Sequence, residues 1–551
     1  MTRTRKILFR ALFLLAALFL FLFPILTLVK MSFESGDSYG WGHYSDIFES
    51  SRTLAAIKNT IIIGVLSTLL SLVMGVAYAV IVAYTNVRHK RLIEILVLLP
   101  YVVPGYVVTM SWTALFAGNS PINTFLRNNG LPPIDMYSMW GIIVVMGISN
   151  AAIVYLNVLS MLRQVPVEQE WASLTAGYNK GLTLRNINLR TVLPAIVNGT
   201  ILAFLSSIDN FAIPSFLGTP KGINVLSTYI YEKAIGFGPS SFNEAAVLSV
   251  FLSGIAFIGL AIQALVLRKS TGLEASQPDY QERLVLKGWR RKLVQGMAIF
   301  FLVLINIVPL VMMFFSSLHA GYTKSIFDFS HMSFENYQFI FTNKNMYSGF
   351  LTSLTLTLSA IVICVLISVP VMYYKQRFDK KATAPLELGA ALTYSMPGMV
   401  LALAMIFYWS NVPNIYGTMR ILLIAYVTRY ILLLLKGSDT ALLAVSPDLE
   451  EAVKISGSKT VQRWRKIIIP IITNQILSSS FLMFTAAFTE LTLSSLLAAA
   501  NSKTVGLTIF NLQSGGDQDV AQAYSVLLTL FILIIVILRN HLERKERLKN
   551  G

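Results

Sequence analysis

Long apolar segments recur through the whole chain, and they restrict its fold more than any other feature. Most run for about 20 residues, the length at which an α-helix crosses the ~30 Å hydrocarbon core of a bilayer. Barrel strands would give weaker, alternating segments of about 10 residues, so the continuous runs predict helices. Of 551 residues, 55 % are hydrophobic and 13 % are charged, about half the charged fraction of a soluble globular protein. An ordinary soluble enzyme is therefore excluded, and we expect an all-α polytopic membrane protein.

The apolar segments can be drawn as twelve transmembrane helices. The first follows a basic N-terminus and is longer than the ~7–15-residue core of a signal peptide, so we expect it to be retained as a membrane span. The predicted spans cover residues 7–29, 59–84, 92–116, 140–162, 193–217, 245–267, 294–315, 348–374, 386–410, 421–435, 471–496 and 521–538.

The positive charge of the chain predicts its orientation in the lipid bilayer. A formal net charge of +17 would also fit a nucleic-acid-binding protein, but Lys and Arg retain the loops of membrane proteins on the cytoplasmic side. About three quarters of the 44 Lys and Arg residues lie at the termini and in the loops after even-numbered spans. We therefore expect both termini in the cytoplasm and no nucleic-acid partner.

Matching residues at two constant offsets indicate an internal duplication. At an offset of 293 the matches are Glu94, Tyr101 and Pro104-Gly105 with Glu387, Tyr394 and Pro397-Gly398, and at an offset of 280 they are Ala172, Gly177, Ile187, Phe204, Ser215 and Leu217 with Ala452, Gly457, Ile467, Phe484, Ser495 and Leu497. The two offsets differ by 13, which predicts a longer outer loop in the first half, at 118–139. Because each half has six spans, we expect two parallel six-helix repeats related by an axis along the membrane normal.

The same duplication predicts how the chain divides into domains. We expect a first domain at 1–267, a cytoplasmic linker at 268–292 and a second domain at 293–551. The linker is polar and contains seven Lys and Arg residues, which is typical of a segment that joins two membrane-embedded halves on the inner side.

Two long inner loops occupy equivalent positions, after the fourth span of each half. The first loop, 163–192, contains Glu170-Trp-Ala-Ser-Leu-Thr-Ala-Gly177, and the second loop, 436–470, contains Glu450-Glu-Ala-Val-Lys-Ile-Ser-Gly457. Each sequence predicts a short helix, a bend at the glycine, and a second helix that leads into the membrane. A bent pair of helices on the cytoplasmic face suits docking to a partner, although two ordinary connecting helices would have similar spacing.

The second loop resembles the EAA loop of ATP-binding-cassette (ABC) importer permeases. Glu451-Ala452-Val453 is followed by Gly457 and then by Ile467-x-Ile469-Pro470, at the spacing of that motif. The resemblance extends over both halves of the chain. It implies the fold of a type I ABC importer permease, with two permease domains fused in one polypeptide.

In that family the loop forms a coupling helix that sits in a groove of a cytoplasmic ATPase. The resemblance implies this role for Glu170, Trp171, Ala172, Gly177, Glu451, Ala452 and Gly457. The first loop departs from the pattern, because Trp171 stands at the position of the Glu and Arg190 at that of the Pro. It is therefore expected to dock differently, with Trp171 making an apolar contact. An alternative role for Glu451 is helix stability alone, through the helix dipole.

The resemblance also implies partners and a location. The partners are two copies of a cytoplasmic ABC ATPase and an extracytoplasmic substrate-binding protein, and the chain is expected in the cytoplasmic membrane of a prokaryote. The chain itself is expected to be a transport subunit without enzyme activity or cofactor, because ATP and Mg would bind to the ATPase. Gly457-Ser-Lys-Thr460 lacks the upstream glycine of a phosphate-binding loop. No metal site is assigned, since the five histidines are scattered and the one cysteine, Cys364, lies in an apolar run.

The fused layout is most similar to ferric-iron permeases, with thiamine, phosphonate and polyamine permeases as alternatives. The segments Glu490-Leu-Thr-Leu-Ser-Ser-Leu-Leu497 and Ala425-Tyr-Val-Thr-Arg429-Tyr430 are similar to parts of iron-type permeases. An alternative from another class is a secondary transporter of the major-facilitator type, and a second is a channel or scaffold. The loop after the second span, 85–91, is short and has no acidic residue, which disfavours the major-facilitator alternative.

Polar residues within spans are candidates for the substrate path, because they are costly in a bilayer. The candidates are Asp209, Asn210, Glu490, Arg429, Tyr101 and Tyr394. Oxygen ligands near the outer mouth could receive hard ferric iron. The alternatives are helix-packing hydrogen bonds for the carboxylate and carboxamide groups, a carboxylate partner for the arginine, and ordinary packing for the tyrosines, which lie where Pro-Gly pairs are expected to bend the helices. Glu94 and Glu387 are expected to face headgroups or loops.

Overall fold

The computed structural model describes residues 3–35, 38–236, 238, 240–269, 279–319, 321 and 325–550. In this part of the chain the regular structure is helical, apart from a small hairpin of two antiparallel strands, β1 (Glu34–Ser35) and β2 (Ser38–Tyr39), in which Glu34 pairs with Tyr39. The apolar segments therefore form helices, as predicted.

The α-helices follow one another along the chain with short connections. Before the linker they are α1 (Arg3–Ala17), α2 (Phe23–Phe33), α3 (Gly42–Glu49), α4 (Ser51–Tyr84), α5 (Lys90–Val102), α6 (Gly105–Leu115), α7 (Pro121–Asn128), α8 (Met139–Leu162), α9 (Val167–Thr175), α10 (Lys180–Thr183), α11 (Leu189–Thr191), α12 (Leu193–Asp209), α13 (Ala212–Leu217), α14 (Leu226–Ala234) and α15 (Ser241–Lys269). After it they are α16 (Trp289–Leu302), α17 (Val308–Ser317), α18 (Glu335–Thr342), α19 (Lys344–Arg377), α20 (Ala384–Ser395), α21 (Gly398–Trp409), α22 (Met419–Leu443), α23 (Pro447–Ile455), α24 (Thr460–Arg463), α25 (Ile469–Phe488), α26 (Thr492–Leu497), α27 (Val505–Gly515) and α28 (Gln518–Asn550).

Shorter helical segments of other kinds complete the secondary structure. Four π-helical segments each join two α-helices, at Leu18–Leu22, Leu184–Asn188, Val303–Ile307 and Trp464–Ile468. Two 3₁₀ turns lie at Thr219–Lys221 and Phe329–His331.

Residues in mutual contact form two compact units, each drawn from three stretches of the chain. Unit 1 comprises Met1–Phe48, Ile230–Ser253 and Asn343–Thr508, and unit 2 comprises Glu49–Tyr229, Gly254–Thr342 and Ile509–Gly551. The second loop lies in unit 1, and the first loop lies in unit 2 with the described end of the linker. These units group residues by their contacts, whereas the predicted domains at 1–267 and 293–551 follow the internal duplication of the sequence. The units therefore do not test the domain boundaries, which stay a prediction.

Nine helices in the described part of the chain are long and apolar enough to cross a bilayer, or up to twelve if each of three bent helix pairs is one span. The predicted all-α polytopic fold is thus confirmed. Two predicted continuous spans, 92–116 and 386–410, are wrong in detail: each is two helices, with α5 and α6 at 104° and α20 and α21 at 117°. The breaks fall at Pro104 and Pro397, where a bend was predicted, because proline forces the preceding residue into extended backbone.

Small and hydroxyl side chains let the central helices of each unit pack closely. In unit 2, Ser71 on α4 donates a hydrogen bond to the carbonyl oxygen of Gly147 on α8 (2.7 Å). In unit 1, Gly437 on α22 lies so near α25 that a Cβ would stand 1.9 Å from Ser479 Oγ. Close approach and interhelical hydrogen bonds are what hold helices together in lipid, where burial of apolar side chains gives little net stabilisation.

The longer outer loop predicted at 118–139 contains an additional helix, α7. Ser120 caps it by accepting a hydrogen bond from the backbone N–H of Asn123 (3.2 Å). The equivalent connection in the second half, 410–418, consists of turns. The extra residues therefore build a helix that is specific to the first half.

Candidate functional site

Each of the two inner loops folds as predicted, into a short helix, a glycine bend and a second helix. In the first loop α9 precedes the bend and α10 follows it, and in the second loop these places belong to α23 and α24. The second loop then continues without a sharp bend into α25, whose second residue is Pro470. In the first loop the chain turns by 64° just before α12, whose second residue is Pro194. Because Arg190 replaces the proline, the proline-led helix start lies four residues later.

Gly177 and Gly457 both adopt the left-handed backbone conformation, with φ of 88° and 79°. In each case the following N–H closes the preceding helix, from Tyr178 to the Ser173 carbonyl oxygen (3.2 Å) and from Ser458 to that of Val453 (3.3 Å). A Cβ on either glycine would meet no atom within 4 Å. Glycine is therefore favoured by the backbone conformation and not by lack of space, since other L-residues lose about 1–2 kcal/mol there.

Glu450 fixes α23 to the end of α19 in the second loop. Its carboxylate accepts hydrogen bonds from Tyr373 Oη (2.8 Å) and Arg377 Nε (2.7 Å), and Arg377 Nη2 also donates to the Val445 carbonyl oxygen (2.6 Å). Arg463 Nε lies 4.0 Å from the same carboxylate. Glu450 is 6 % exposed, so loss of one partner would leave a buried charge uncompensated.

Glu170, the equivalent of Glu450, makes corresponding contacts in the first loop, but its guanidinium comes from the linker. Arg283 pairs with Glu170, and its Nη2 donates to the Val165 carbonyl oxygen (2.6 Å). Asn188 donates to Glu170 and to Tyr84 Oη (2.9 Å). Burial is the largest single influence on the pKa of Arg283 and would lower it, but the hydrogen bonds and charges of Glu170, Tyr84 and Asp279 together raise this pKa above its ordinary value.

Most residues that the resemblance assigned to ATPase coupling lie on the exposed side of the two loops. The exposed members are Trp171, Ala172, Gly177, Glu451, Ala452 and Gly457. Trp171 is 60 % exposed, and Ile455 on α23 is 86 % exposed. Glu170 differs from this group, because it is buried beneath α9 and binds Arg283 instead of facing outward.

The predicted spans 193–217 and 471–496 are interrupted near the candidate path residues, which corrects the prediction of continuous helices. A break of two residues separates α12 from α13, and a break of three separates α25 from α26. Each break coincides with polar residues predicted for the substrate path, and the side chains of Asn210 and Glu490 bind backbone groups that a continuous helix would satisfy by itself.

Asn210 and Glu490 occupy equivalent places at these breaks. Asn210 Oδ1 accepts a hydrogen bond from the backbone N–H of Ile213 (2.9 Å), and Glu490 Oε1 accepts one from that of Leu493 (2.9 Å). Asp209, at the end of α12, is half-buried. The two equivalent side chains therefore stabilise the first turns of α13 and α26, a role close to the helix-packing alternative.

Glu490 belongs to a buried polar group in unit 1. It is 9 % exposed and accepts a hydrogen bond from Tyr430 Oη. The neighbouring Arg429 donates to the Met396 carbonyl oxygen (3.2 Å) at the break between α20 and α21. A Cβ on Gly398 would stand 3.2 Å from Arg429 Nη1, so the glycine leaves room for the guanidinium. Helix α22 and the break between α25 and α26 thus bring a phenol, a guanidinium and a carboxylate to one region.

In the equivalent region of unit 2, beside Asp209 and Asn210, the hydrogen bonds between helices join neutral side chains. Asn150, which matches Tyr430 at the offset of 280, donates to Ser207 Oγ (2.9 Å) and accepts a hydrogen bond from Ser206 Oγ (3.0 Å). Ser67 on α4 also donates to Ser207 (3.1 Å). Amide and hydroxyl groups therefore take the place of the charged and phenolic groups of unit 1.

The remaining candidates lie near the helix breaks or near the starts of α5 and α20. Tyr101 is 59 % exposed and Tyr394 is 40 % exposed, each three residues before the proline of its break. Glu94 accepts a hydrogen bond from Arg163 of the first loop (3.0 Å), and Glu387 accepts one from Lys375 (3.0 Å). These two carboxylates therefore face basic side chains at the ends of spans and loops.

A large cavity of about 1230 Å³, lined by both polar and apolar side chains, lies in unit 2. Its lining includes Arg127 from the additional helix α7, Lys221, Gln513 and Asp519. Lys221 also pairs with Asp135, another lining residue (3.2 Å). Within the described residues, no group of three or more His, Cys, Asp and Glu side chains is placed to hold a metal ion.

The sequence predicts no role for four residues that hold the loops and the buried polar groups. They are Arg283, Arg377, Tyr430 and Asn150. At the offset of 293, Arg377 matches Tyr84, which was a readable sign that the first half lacks an arginine at this place. The spacing of the sequence gives no sign that the linker supplies the missing guanidinium.

Comparisons with known proteins agree with this architecture. The chain is 22 % identical over 536 residues to a ferric transport system permease protein of Actinobacillus pleuropneumoniae, covering 95 % of this chain and 76 % of that protein. It is 23 % identical over 492 residues to an Fe(3+)-transport system permease protein of Haemophilus influenzae, covering 88 % and 90 %. It is 27 % identical over 236 residues to a permease protein of Salmonella choleraesuis whose name assigns it to 2-aminoethylphosphonate transport, covering 42 % and 82 %.

Among solved structures, a bacterial alginate ABC transporter in complex with a pentasaccharide-bound periplasmic protein matches 45 % of this chain and 88 % of its own, with 19 % identity and a TM-score of 0.39. The family model for the inner membrane component of binding-protein-dependent transport systems matches residues 71–272 and 376–548. The matched segments make up more than half of the chain and include both loops, and this family assignment replaces the major-facilitator alternative. The chain therefore belongs to the multi-pass inner-membrane permeases of binding-protein-dependent ABC importers.

Proposed function

We propose that this chain forms the substrate path of an ATP-driven importer and transmits the ATPase cycle to that path through its two inner loops. The observation that carries the proposal is the form of these loops. Each has a short helix, held from beneath by a buried carboxylate–guanidinium pair and ended by a glycine with positive φ. A rigid helix with an exposed outer face is suited to transmit force to a docked partner.

Two copies of a cytoplasmic ABC ATPase are the proposed partners, one on each loop. Exposed apolar side chains, Trp171 on α9 and Ile455 on α23, offer anchors of the kind that dominate protein interfaces. ATP and Mg would bind to the ATPase subunits, and this chain would hold neither. Both termini and the linker would then lie in the cytoplasm with the loops, as the distribution of Lys and Arg favours.

The proposed cycle is alternating access driven by nucleotide. A binding protein delivers substrate to the outer side, ATP brings the ATPase subunits together, and the docked loops move the helices that follow them. Hydrolysis then resets the path toward the cytoplasm. The nucleotide acts by stabilising one of two states, and it reaches the path through α12 and α25, which follow the two loops and end beside Asn210 and Glu490.

Ferric iron is the substrate that we propose first. Support comes from relatives named as ferric transport permeases, which match almost the whole of this chain. In unit 1 the buried carboxylate Glu490 would offer oxygen atoms of the kind that a hard cation prefers, and in unit 2 Asp209 and Asn210 would offer others. The cavity of unit 2 would provide space for an entrance chamber.

A phosphonate is the second candidate substrate. It is favoured by the Salmonella relative, which has higher identity over a shorter segment. The cavity of unit 2 presents Arg127 and Lys221, which would attract an anion, and also Asp135 and Asp519, which would attract ferric iron. Thiamine and polyamines remain further alternatives.

Reconstitution of the assembled transporter tests the proposal. The permease, its ATPase and its binding protein are placed in liposomes, and uptake of ferric iron is compared with uptake of 2-aminoethylphosphonate and thiamine. We expect iron uptake that requires ATP and all three components. Uptake driven by an ion gradient without the ATPase would contradict the proposed function. ATP-dependent uptake of another substrate would overturn the assignment of iron and leave the importer function unchanged.

A further inference from the structure

We propose that the linker is a structural part of the first coupling loop and that Arg283 is the positioning residue which holds α9 for the ATPase. This inference rests on the proposed function. Residues 279–286 then do more than join the two halves. They supply to the first loop the guanidinium that Arg377 of α19 supplies to the second loop.

The two guanidinium groups make the same set of contacts. Arg377 binds Glu450, the Val445 carbonyl oxygen (2.6 Å) and the face of Tyr373, whose centroid is 5.9 Å away. Arg283 binds Glu170, the Val165 carbonyl oxygen (2.6 Å) and the face of Tyr84, whose centroid is 4.8 Å away. The two glutamates and the two valines are each separated by 280 residues, so the acceptors are equivalent, whereas the guanidinium and the tyrosine ring come from non-equivalent positions.

The linker is held against the first loop along its backbone as well. The N–H groups of Arg283 and Leu284 donate to the Tyr84 carbonyl oxygen at the end of α4 (2.9 and 2.8 Å), and that of Asp279 donates to the Arg163 carbonyl oxygen at the end of α8 (2.7 Å). Asn86 and Leu286 exchange two further hydrogen bonds (3.1 and 2.8 Å). A segment bound in this way has a defined register, which aims Arg283 at Glu170.

Burial makes this contact strong and specific. The side chain of Arg283 is 4 % exposed and that of Glu170 is 11 % exposed. Asp279 also accepts a hydrogen bond from Arg283 Nη2 (3.1 Å). A planar guanidinium can serve the carboxylate and the carbonyl oxygen at once, whereas a lysine ammonium on a flexible stem cannot reproduce this geometry.

The test is a double-mutant cycle in the assembled complex. Arg283→Ala, Glu170→Ala and the double variant are compared with wild type by titrating the ATPase subunit and measuring substrate-stimulated ATP hydrolysis. We expect Arg283→Ala to raise the half-saturating ATPase concentration by about tenfold. If Arg283 acts through Glu170, the double variant is no worse than the more impaired single variant. The matched control is Lys287→Ala, an exposed linker residue, for which we expect wild-type values.

A relocated guanidinium provides a second readout that a general structural role would not change. Tyr84 stands at the position of Arg377, so Tyr84→Arg is introduced into the Arg283→Ala background. We expect it to restore part of the ATPase affinity, and Arg283→Lys to give an intermediate loss with normal membrane insertion. Additive losses in the cycle, or wild-type affinity of Arg283→Ala, would overturn the assignment. Substrate uptake by the wild-type complex is measured in parallel. If the wild-type complex shows ATP-dependent uptake while Arg283→Ala behaves normally, the role of Arg283 is wrong but the proposed function stands.

Discussion

The two halves of this permease hold the short helices of their inner loops, α9 and α23, with one kind of contact made from different parts of the chain. In unit 1 the guanidinium belongs to α19, so the second loop is held by its own half. In unit 2 it belongs to the linker, so the first loop depends on a segment that exists because the halves are fused. The acceptors stayed at equivalent positions while the donor changed, which indicates that the geometry around the glutamate is the constrained feature.

The two pairs also differ in how a lost partner would be tolerated. Arg283 has a second carboxylate, Asp279, at 3.1 Å. Arg377 is paired with Glu450, and Arg463 lies on the other side of the same carboxylate at 4.0 Å. Removal of Glu450 would therefore leave two guanidinium groups facing each other, whereas removal of Glu170 would leave one that still has a partner.

The largest expected effect on the permease itself is the loss of Glu450. Glu450→Ala should destabilise unit 1 by about 3–5 kcal/mol, the range for breaking one side of a buried ion pair, and Glu170→Ala should cost less because Asp279 remains. Thermal unfolding of the purified permease, followed by fluorescence, measures the difference. The control is Asp448→Ala, an exposed acid in the first turn of α23, with an expected loss under about 1 kcal/mol. Equal losses for the two glutamates would show that Asp279 does not compensate.

The glycine bends should respond equally in the two halves, which sets a baseline for the comparison. Gly457→Ala and Gly177→Ala should each cost about 1–2 kcal/mol, because a Cβ strains the left-handed backbone without meeting any atom. Asparagine, which tolerates this conformation, should cost less. Gly457→Pro should abolish coupling while the protein still inserts, since proline cannot adopt positive φ.

Substrate-stimulated ATP hydrolysis by the assembled complex measures coupling in these glycine variants, with membrane yield as the control. Unchanged stimulation in Gly457→Pro would remove the bend from the coupling mechanism. A loss confined to the second-loop variants would show that the linker relieves the first loop of its dependence on the glycine.

The breaks near the candidate path should separate a structural role from a transport role. Glu490→Ala and Asn210→Ala each remove an acceptor for a backbone N–H at a helix start, at a cost of about 1 kcal/mol. Glu490→Ala also leaves Tyr430 without its carboxylate, so we expect it to reduce uptake more than complex yield. Glu490→Gln retains an acceptor oxygen and tests the charge. Normal uptake kinetics in Glu490→Ala would remove this residue from the path.

Much of the fold could be predicted because bilayer length and helical period leave few choices. The apolar runs gave the helices, and the Pro-Gly pairs at Pro104 and Pro397 gave the positions of two bends. The sequence did not reveal that these bends exceed 100°, nor that α12 and α25 end before Asn210 and Glu490. Hydropathy is continuous across these breaks. The side chains of Asn210 and Glu490 replace helical hydrogen bonds there, and only the structure shows which backbone groups they bind.

The candidate site was predictable to the extent that local spacing determines it. Gly177 and Gly457 could be identified as bends because a single glycine between two helical segments indicates a residue that can adopt positive φ. The role of the buried glutamates could not, since Glu450 and Glu451 are adjacent and identical in type, and only packing shows that Glu450 faces inward. Arg283 lies 113 residues from Glu170, a separation at which no spacing rule applies.

The smallest expected effect on the permease, and the one most specific for the partner, is an exchange of the exposed residues at one equivalent position. Trp171→Glu and Glu451→Trp should each change stability by less than about 0.5 kcal/mol, because both side chains are exposed. If the first loop docks through an apolar anchor, Trp171→Glu should lower ATPase affinity by about 30-fold or more, the scale of an interface hot spot, whereas Glu451→Ala should lower it less. Titration of the ATPase subunit onto the purified permease measures both. Equal and small losses would show that the two loops bind the ATPase through backbone and shape, and that the difference between Trp171 and Glu451 has no part in docking.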